Sequence, residues 1–119
     1  MNGYPNAFGP YSIYRIEGNV LYLSGQLPVN PETGCLSNDF KEQCQQAFDN
    51  VNSILKEHHL NLNAIFKLTI YLSDISYFDQ LNQIMISLFD KPYPARTVFQ
   101  VGALPQEAFI EIEAMAKLS

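Results

Sequence analysis

Residues 109–116 read Phe-Ile-Glu-Ile-Glu-Ala-Met-Ala, and their two-residue alternation marks a strand with two unlike faces. Ile110, Ile112, Ala114 and Ala116 make a smooth apolar side on which helices can pack, which turns Phe109, Glu111, Glu113 and Met115 the other way. Just upstream, Ala95 to Val101 forms another strand, separated from the first by the turn region Gly102 to Gln106. With Thr97, Phe99 and Val101 turned toward the helices, Arg96, Val98 and Gln100 share the side of Glu111. The expectation is a sheet whose uncovered face carries Arg96 and two glutamates among apolar side chains.

Working outward, Ile65 to Leu72 alternates as well, with Phe66, Leu68, Ile70 and Leu72 on one face and Lys67, Thr69 and Tyr71 on the other. Between residues 40 and 58 the period changes: Phe40, Cys44, Ala47, Phe48, Val51, Ile54 and Leu55 fall on one stripe of an amphipathic helix. Asp39 and Glu42 make a start resembling a capping box. Ser76 and Asp79 point to a second cap, followed by a stripe of Phe78, Leu81, Met85, Leu88 and Phe89 that must end before Pro92. At the amino end, Tyr11 to Glu17 and Val20 to Ser24 read as a hairpin joined at Glu17-Gly18-Asn19, and Pro28 to Gly34 is a loop punctuated by proline and glycine. No repeat or low-complexity run divides the chain. The order is ββαβαββ: a single α+β domain over residues 1–119, with two helices on one face of a sheet.

Composition narrows the function. A formal charge of −5, a pI near 4.8 and only seven Lys and Arg argue against a nucleic-acid partner, which needs a basic patch. The amino-terminal MNGYPNAFGPYS lacks the charged and apolar regions of a signal peptide, and no stretch approaches membrane-spanning length, so a cytoplasmic protein is expected. Cys35 and Cys44 have no CxxC spacing and no nearby histidine, so both read as reduced thiols and no metal or other cofactor is implied. The chain has no GxSxG elbow, P-loop, GxGxxG or HExxH. His58 and His59 fall at a helix carboxy terminus, where the macrodipole favours them structurally.

An uncovered sheet face bearing Tyr22, Val98, Phe109 and Met115 leaves apolar area that association would bury, which predicts an oligomer. Arg96, following Pro94-Ala95 at a strand start, can present a rigid bidentate fork to a small carboxylate. It can equally form an intersubunit salt bridge with Glu111 or Glu113. Spacing alone leaves both open.

A resemblance decides between them. GPYS at Gly9 to Ser12, LYLSGQLPVNPETG at Leu21 to Gly34, PAR at Pro94 to Arg96 and IEIEAMA at Ile110 to Ala116 occur in the order seen in the RidA (YjgF-type) reactive intermediate deaminases. The chain resembles that family from about residue 6 to residue 117. The resemblance implies a chorismate-mutase-like fold assembled as a homotrimer, with sites in clefts between subunits. It also implies hydrolysis of reactive 2-imino acids to 2-keto acids and ammonia. Carried over by motif, Arg96 and Glu111 become the catalytic pair, and Tyr11, Ser24 and Asn82 join Arg96 in binding substrate. Many members have a cysteine two residues after the arginine. This chain has Val98, which removes a thiol contact but no group that hydrolysis needs.

The implied chemistry has Arg96 clamp the carboxylate of 2-iminobutanoate or 2-iminopropanoate while a water held by Glu111 attacks the imine carbon. Three other functions remain compatible with the same residues. One is a trimeric module that binds small carboxylates such as keto acids without turnover. Another is an endoribonuclease or translation inhibitor, against which the acidic balance and the lack of a histidine near Arg96 both count. The last is a structural or chaperone-like trimer indifferent to Arg96.

Overall fold

Both hydrophobic periods of the sequence appear in the computed structural model, which describes residues 3–119. Strands β1 (Tyr14–Glu17) and β2 (Val20–Gln26) form the hairpin. Helix α1 (Phe40–Glu57), β3 (Ile65–Leu72), α2 (Phe78–Leu88), β4 (Ala95–Gln100) and β5 (Ile110–Lys117) follow. The sheet order is β1-β2-β5-β3-β4. Only β3 and β4 are parallel, and α2 supplies the crossover that a parallel pair requires. The expected ββαβαββ order and α+β class are observed.

The helices cover the side of the sheet on which Leu21, Leu23, Leu68, Ile70, Ile110 and Ile112 are buried, and the stripe of α1 meets it. A fully buried isoleucine such as Ile112 truncated to alanine costs about 2–5 kcal/mol, so this face holds the fold together. Two buried amides of α1 extend it into the loops. Asn50 Nδ2 donates to the carbonyls of Leu27 (3.0 Å) and Val29 (2.9 Å), and Gln43 Oε1 accepts from the Phe109 N–H (2.7 Å). They tie the proline-rich loop and the entry to β5 to one helix, satisfying backbone groups that burial would otherwise penalise.

Several local expectations are corrected. Asp39 does accept from the Glu42 N–H, but the Glu42 carboxylate takes the Ser37 hydroxyl at 2.7 Å instead of closing the box. The second cap is Asp74, which accepts from the Ser76 N–H at 2.9 Å and opens a short 3-10 turn over Ile75–Tyr77 before α2. Ser76 is thus a donor and not the cap. Phe66 is exposed because the β3–β5 register shifts between Ile65 and Lys67, which sends Ile65 into the core instead. Phe109 precedes β5 and packs against the core beside Tyr77.

The uncovered face remains apolar in part. Tyr22 pairs with Met115, and Tyr22 and Phe99 are both exposed. Among the described residues, no helix is long and apolar enough to cross a membrane.

Candidate functional site

The first part of the site begins with a defect in β2. Leu23 pairs with Ala114 but Gln26 pairs with Ile112, so Ser24 and Gly25 together oppose Glu113. Such a bulge bends the strand and re-aims its side chains, and bulges gather beside functional sites. Gly25 leaves room there for the Glu111 side chain, which lies against its backbone. A Cβ at position 25 would fall 2.7 Å from Glu111 Oε2 and 2.9 Å from its Cδ.

Glu111 lines a cleft of about 910 Å³ together with Tyr11, Ser24, Gly25, Gln106 and Glu113. The Ser24 hydroxyl donates to the Ser12 carbonyl at 2.6 Å, which leaves its oxygen free to accept. Tyr11 Oη accepts from the Phe8 N–H at 3.1 Å, which leaves its proton free to donate. Burial, and then the charge of Glu113, push the Glu111 carboxyl above its ordinary pKa. A half-buried carboxyl with raised proton affinity in a cleft has the properties of a group that takes and returns protons.

The second part lies elsewhere. Arg96 and Asn82 line a separate hollow of about 410 Å³ with Met85, Ile86, Tyr93 and Pro94. Arg96 Nη1 donates to Asn82 Oδ1 at 2.7 Å and to Met85 Sδ at 3.3 Å, and its Cζ sits 5.2 Å from the centre of the Phe78 ring. Helix α2 therefore holds the guanidinium through three neighbours. Burial lowers the Arg96 pKa from its ordinary value.

This placement overturns the expected face of β4. In the parallel register Arg96 stands beside Leu68 and Val98 beside Ile70, on the helix side, and Gln100 falls beside Leu72. Thr97 and Phe99 stand beside Thr69 and Tyr71, and Tyr71 pairs with Glu111 on the uncovered side. Phe99 is apolar without being buried, because β4 is an edge strand and Phe99 stays 47% exposed. Val98 packs against the core instead of the open face.

Within one chain, then, Tyr11, Ser24 and Glu111 share one cleft, and Asn82 and Arg96 share another hollow. Gly25 and Phe78 were missed as contributors, while Glu113 was placed on the face of Glu111 but given no part in the site. A glycine inside a strand pattern is the usual mark of a bulge, so Gly25 had a signal. Phe78 had none beyond its place on the α2 stripe. Cys44 is buried in the core with its thiol pushed up to about 12, and Cys35 is exposed on a loop. Among the described residues, no group of three or more His, Cys, Asp or Glu is arranged to hold a metal ion.

The family model described as Endoribonuclease L-PSP, the YjgF/RidA group, matches residues 1–118. The chain belongs to this family. Among the relatives of this RidA-family chain is the human 2-iminobutanoate/2-iminopropanoate deaminase, 39% identical over 113 residues, which span 94% of the chain and 82% of that protein. The crystal structure of RidA from the Antarctic bacterium Psychrobacter sp. PAMC 21119 superposes with a TM-score of 0.94 at 38% identity, covering 98% and 95% of the two chains. Escherichia coli TdcF with bound serine superposes at 0.91 with 32% identity, covering 100% and 96%.

Proposed function

We propose that this chain hydrolyses 2-iminobutanoate and 2-iminopropanoate to 2-keto acids and ammonia in a cytoplasmic homotrimer, at sites formed between neighbouring copies. The observation that carries the reading is the split of five expected residues between two hollows on opposite sides of one sheet. A substrate of a few heavy atoms cannot reach Arg96 and Glu111 of the same chain through a packed sheet. A second copy that lays its Arg96 hollow against the Glu111 cleft brings them together. The exposed Tyr22 and Phe99 offer apolar area for that association. The human relative's deaminase name supports the reaction, and the serine bound to TdcF supports a small carboxylate-bearing ligand.

In this mechanism Arg96, oriented by Asn82, takes the substrate carboxylate and Tyr11 donates a hydrogen bond to it or to the imine. Ser24 accepts from the attacking water. Glu111 removes one proton from that water as its oxygen bonds to the imine carbon and the C=N electron pair moves to nitrogen. Glu111 returns that proton to the nitrogen, giving the neutral carbinolamine, and then carries the hydroxyl proton to the nitrogen as the C–N bond breaks and C=O forms, releasing ammonia and leaving Glu111 ionised again. Carboxylate binding is uniform along this path, so acceleration rests on the placed water and on Glu111.

The test generates 2-iminobutanoate in situ with a PLP-dependent threonine dehydratase and follows 2-ketobutanoate release. Wild-type protein speeds release, while Arg96→Ala and Glu111→Gln do not. Mixing the two inactive variants and allowing subunit exchange restores about a quarter of wild-type activity, because some interfaces then carry both intact halves. Equal release in every arm sinks the deaminase reading. Active wild type without recovery on mixing sinks the shared site. The family description names a ribonuclease, but no histidine lines either hollow and the net charge is −5. RNA incubated with the protein therefore stays intact.

A further inference from the structure

Glu111 has a neighbour whose place the mechanism above leaves unexplained. Glu113 follows two residues later on β5, so both carboxylates project from the same face of the strand, and both line the 910 Å³ cleft. Glu113 is fixed from the next strand: Tyr71, which stands directly opposite Glu111 in the β3–β5 register, donates its hydroxyl to Glu113 Oε1 at 3.0 Å. The tyrosine thus spans the two glutamates diagonally.

We propose that Glu113, anchored by Tyr71, is a positioning residue that keeps Glu111 able both to take a proton from water and to return it to the departing nitrogen. The role rests on the deaminase reading. Hydrolysis of an imine needs a proton moved in each direction within one turnover, and a carboxylate of ordinary acidity takes protons poorly at neutral pH. A like charge held alongside favours the protonated form of its neighbour. The surroundings of Glu111 do not cancel this. Gly25 of β2 brings no charge, and the remaining titratable groups lining the cleft are Tyr11, Arg15 and Tyr22. Arg15 is paired with Glu17 at 2.9 Å and largely exposed. On the uncovered face, Lys67 stands opposite Met115, one diagonal step from Glu113 and two from Glu111, and its ammonium donates to Thr97 of β4 at 2.9 Å. Burial and the Glu113 charge act on Glu111 in the same direction.

Two readouts test the proposal. The Glu111 carboxyl is titrated by carbon-13 NMR in the unliganded protein, and the pH profile of imine hydrolysis is measured on the same variants. Glu113→Gln moves the Glu111 titration, and the acid limb of kcat/KM with it, to lower pH. It cuts kcat at neutral pH by about tenfold while KM stays within about twofold. Glu113→Asp keeps the charge and returns both toward wild type, and Tyr71→Phe shifts them in the direction of Glu113→Gln by less. An unmoved titration in Glu113→Gln, or a Glu113→Asp protein that behaves like Glu113→Gln, overturns the role while leaving the deaminase reading intact. A wild-type protein without imine turnover overturns the deaminase reading itself, and the titration then reports separately on the coupling of the two glutamates.

Discussion

Glu111 is set in place by backbone: a two-residue bulge in β2 and the missing side chain of Gly25 open the space its carboxylate occupies. Arg96 is set in place by side chains, with Asn82, Met85 and Phe78 of α2 gripping a guanidinium that projects from an edge strand. A position defined by backbone tolerates no added atom, because the main chain cannot step aside. A position defined by side chains degrades gradually as partners are removed. The two halves of the proposed site should therefore fail in different ways.

Gly25→Ala gives the largest expected effect. The new Cβ displaces the Glu111 carboxylate, and kcat falls by about a hundredfold or more in steady-state assays, since an ångström of misplacement is enough to do this. Full activity in that variant breaks the contrast. Asn50→Ala, remote from both halves, leaves the Leu27 and Val29 carbonyls without partners and lowers unfolding free energy by about 2 kcal/mol in a urea titration. Its kcat at 25 °C stays at the wild-type level, which separates loss of fold from loss of site. Asn82→Ala releases Arg96 from one of three neighbours, so KM rises about tenfold with kcat little changed. An equal loss in kcat and kcat/KM there means Asn82 acts only in the transition state.

The smallest effect concerns stability against pH. The folded protein raises the Glu111 pKa, so it binds that proton more tightly than the unfolded chain does. The stability this carboxyl contributes is present in acid and is lost as pH rises through its folded pKa. Glu111→Gln, permanently neutral, should melt above wild type at pH 8, with the difference shrinking as the pH is lowered. A constant difference across that range means Glu111 is not the destabilising group. The same substitution abolishes turnover, so stability and activity part at this residue.

The elements themselves were legible because period 2 and period 3.6 are written plainly into residues 65–72, 40–55 and 109–116. Which face each residue takes was legible only where a strand is central. For β5, flanked by β2 and β3, apolarity and burial coincide, and Glu111 was placed correctly. For β4, with one neighbour, the exposed Phe99 costs little, so pattern and burial diverge and the register with β3 decides. The caps show a similar limit. Asp74 and Ser76 both suit a helix start, and only the 3-10 turn over Ile75–Tyr77 selects between them. The split of the five site residues between two hollows is a property of that register and left no mark in the sequence.

The strand that comes last in the chain, β5, lies in the middle of the sheet, between β2 and β3. While the polypeptide emerges from a ribosome, those two strands therefore wait with facing edges open until residues 110–117 arrive between them. Before that moment only the β1–β2 and β3–β4 pairs can form, and nothing joins them into one sheet. Nascent chains that stop short expose two strand edges ready to pair with other molecules, so interrupted synthesis yields aggregation-prone fragments instead of half-working protein.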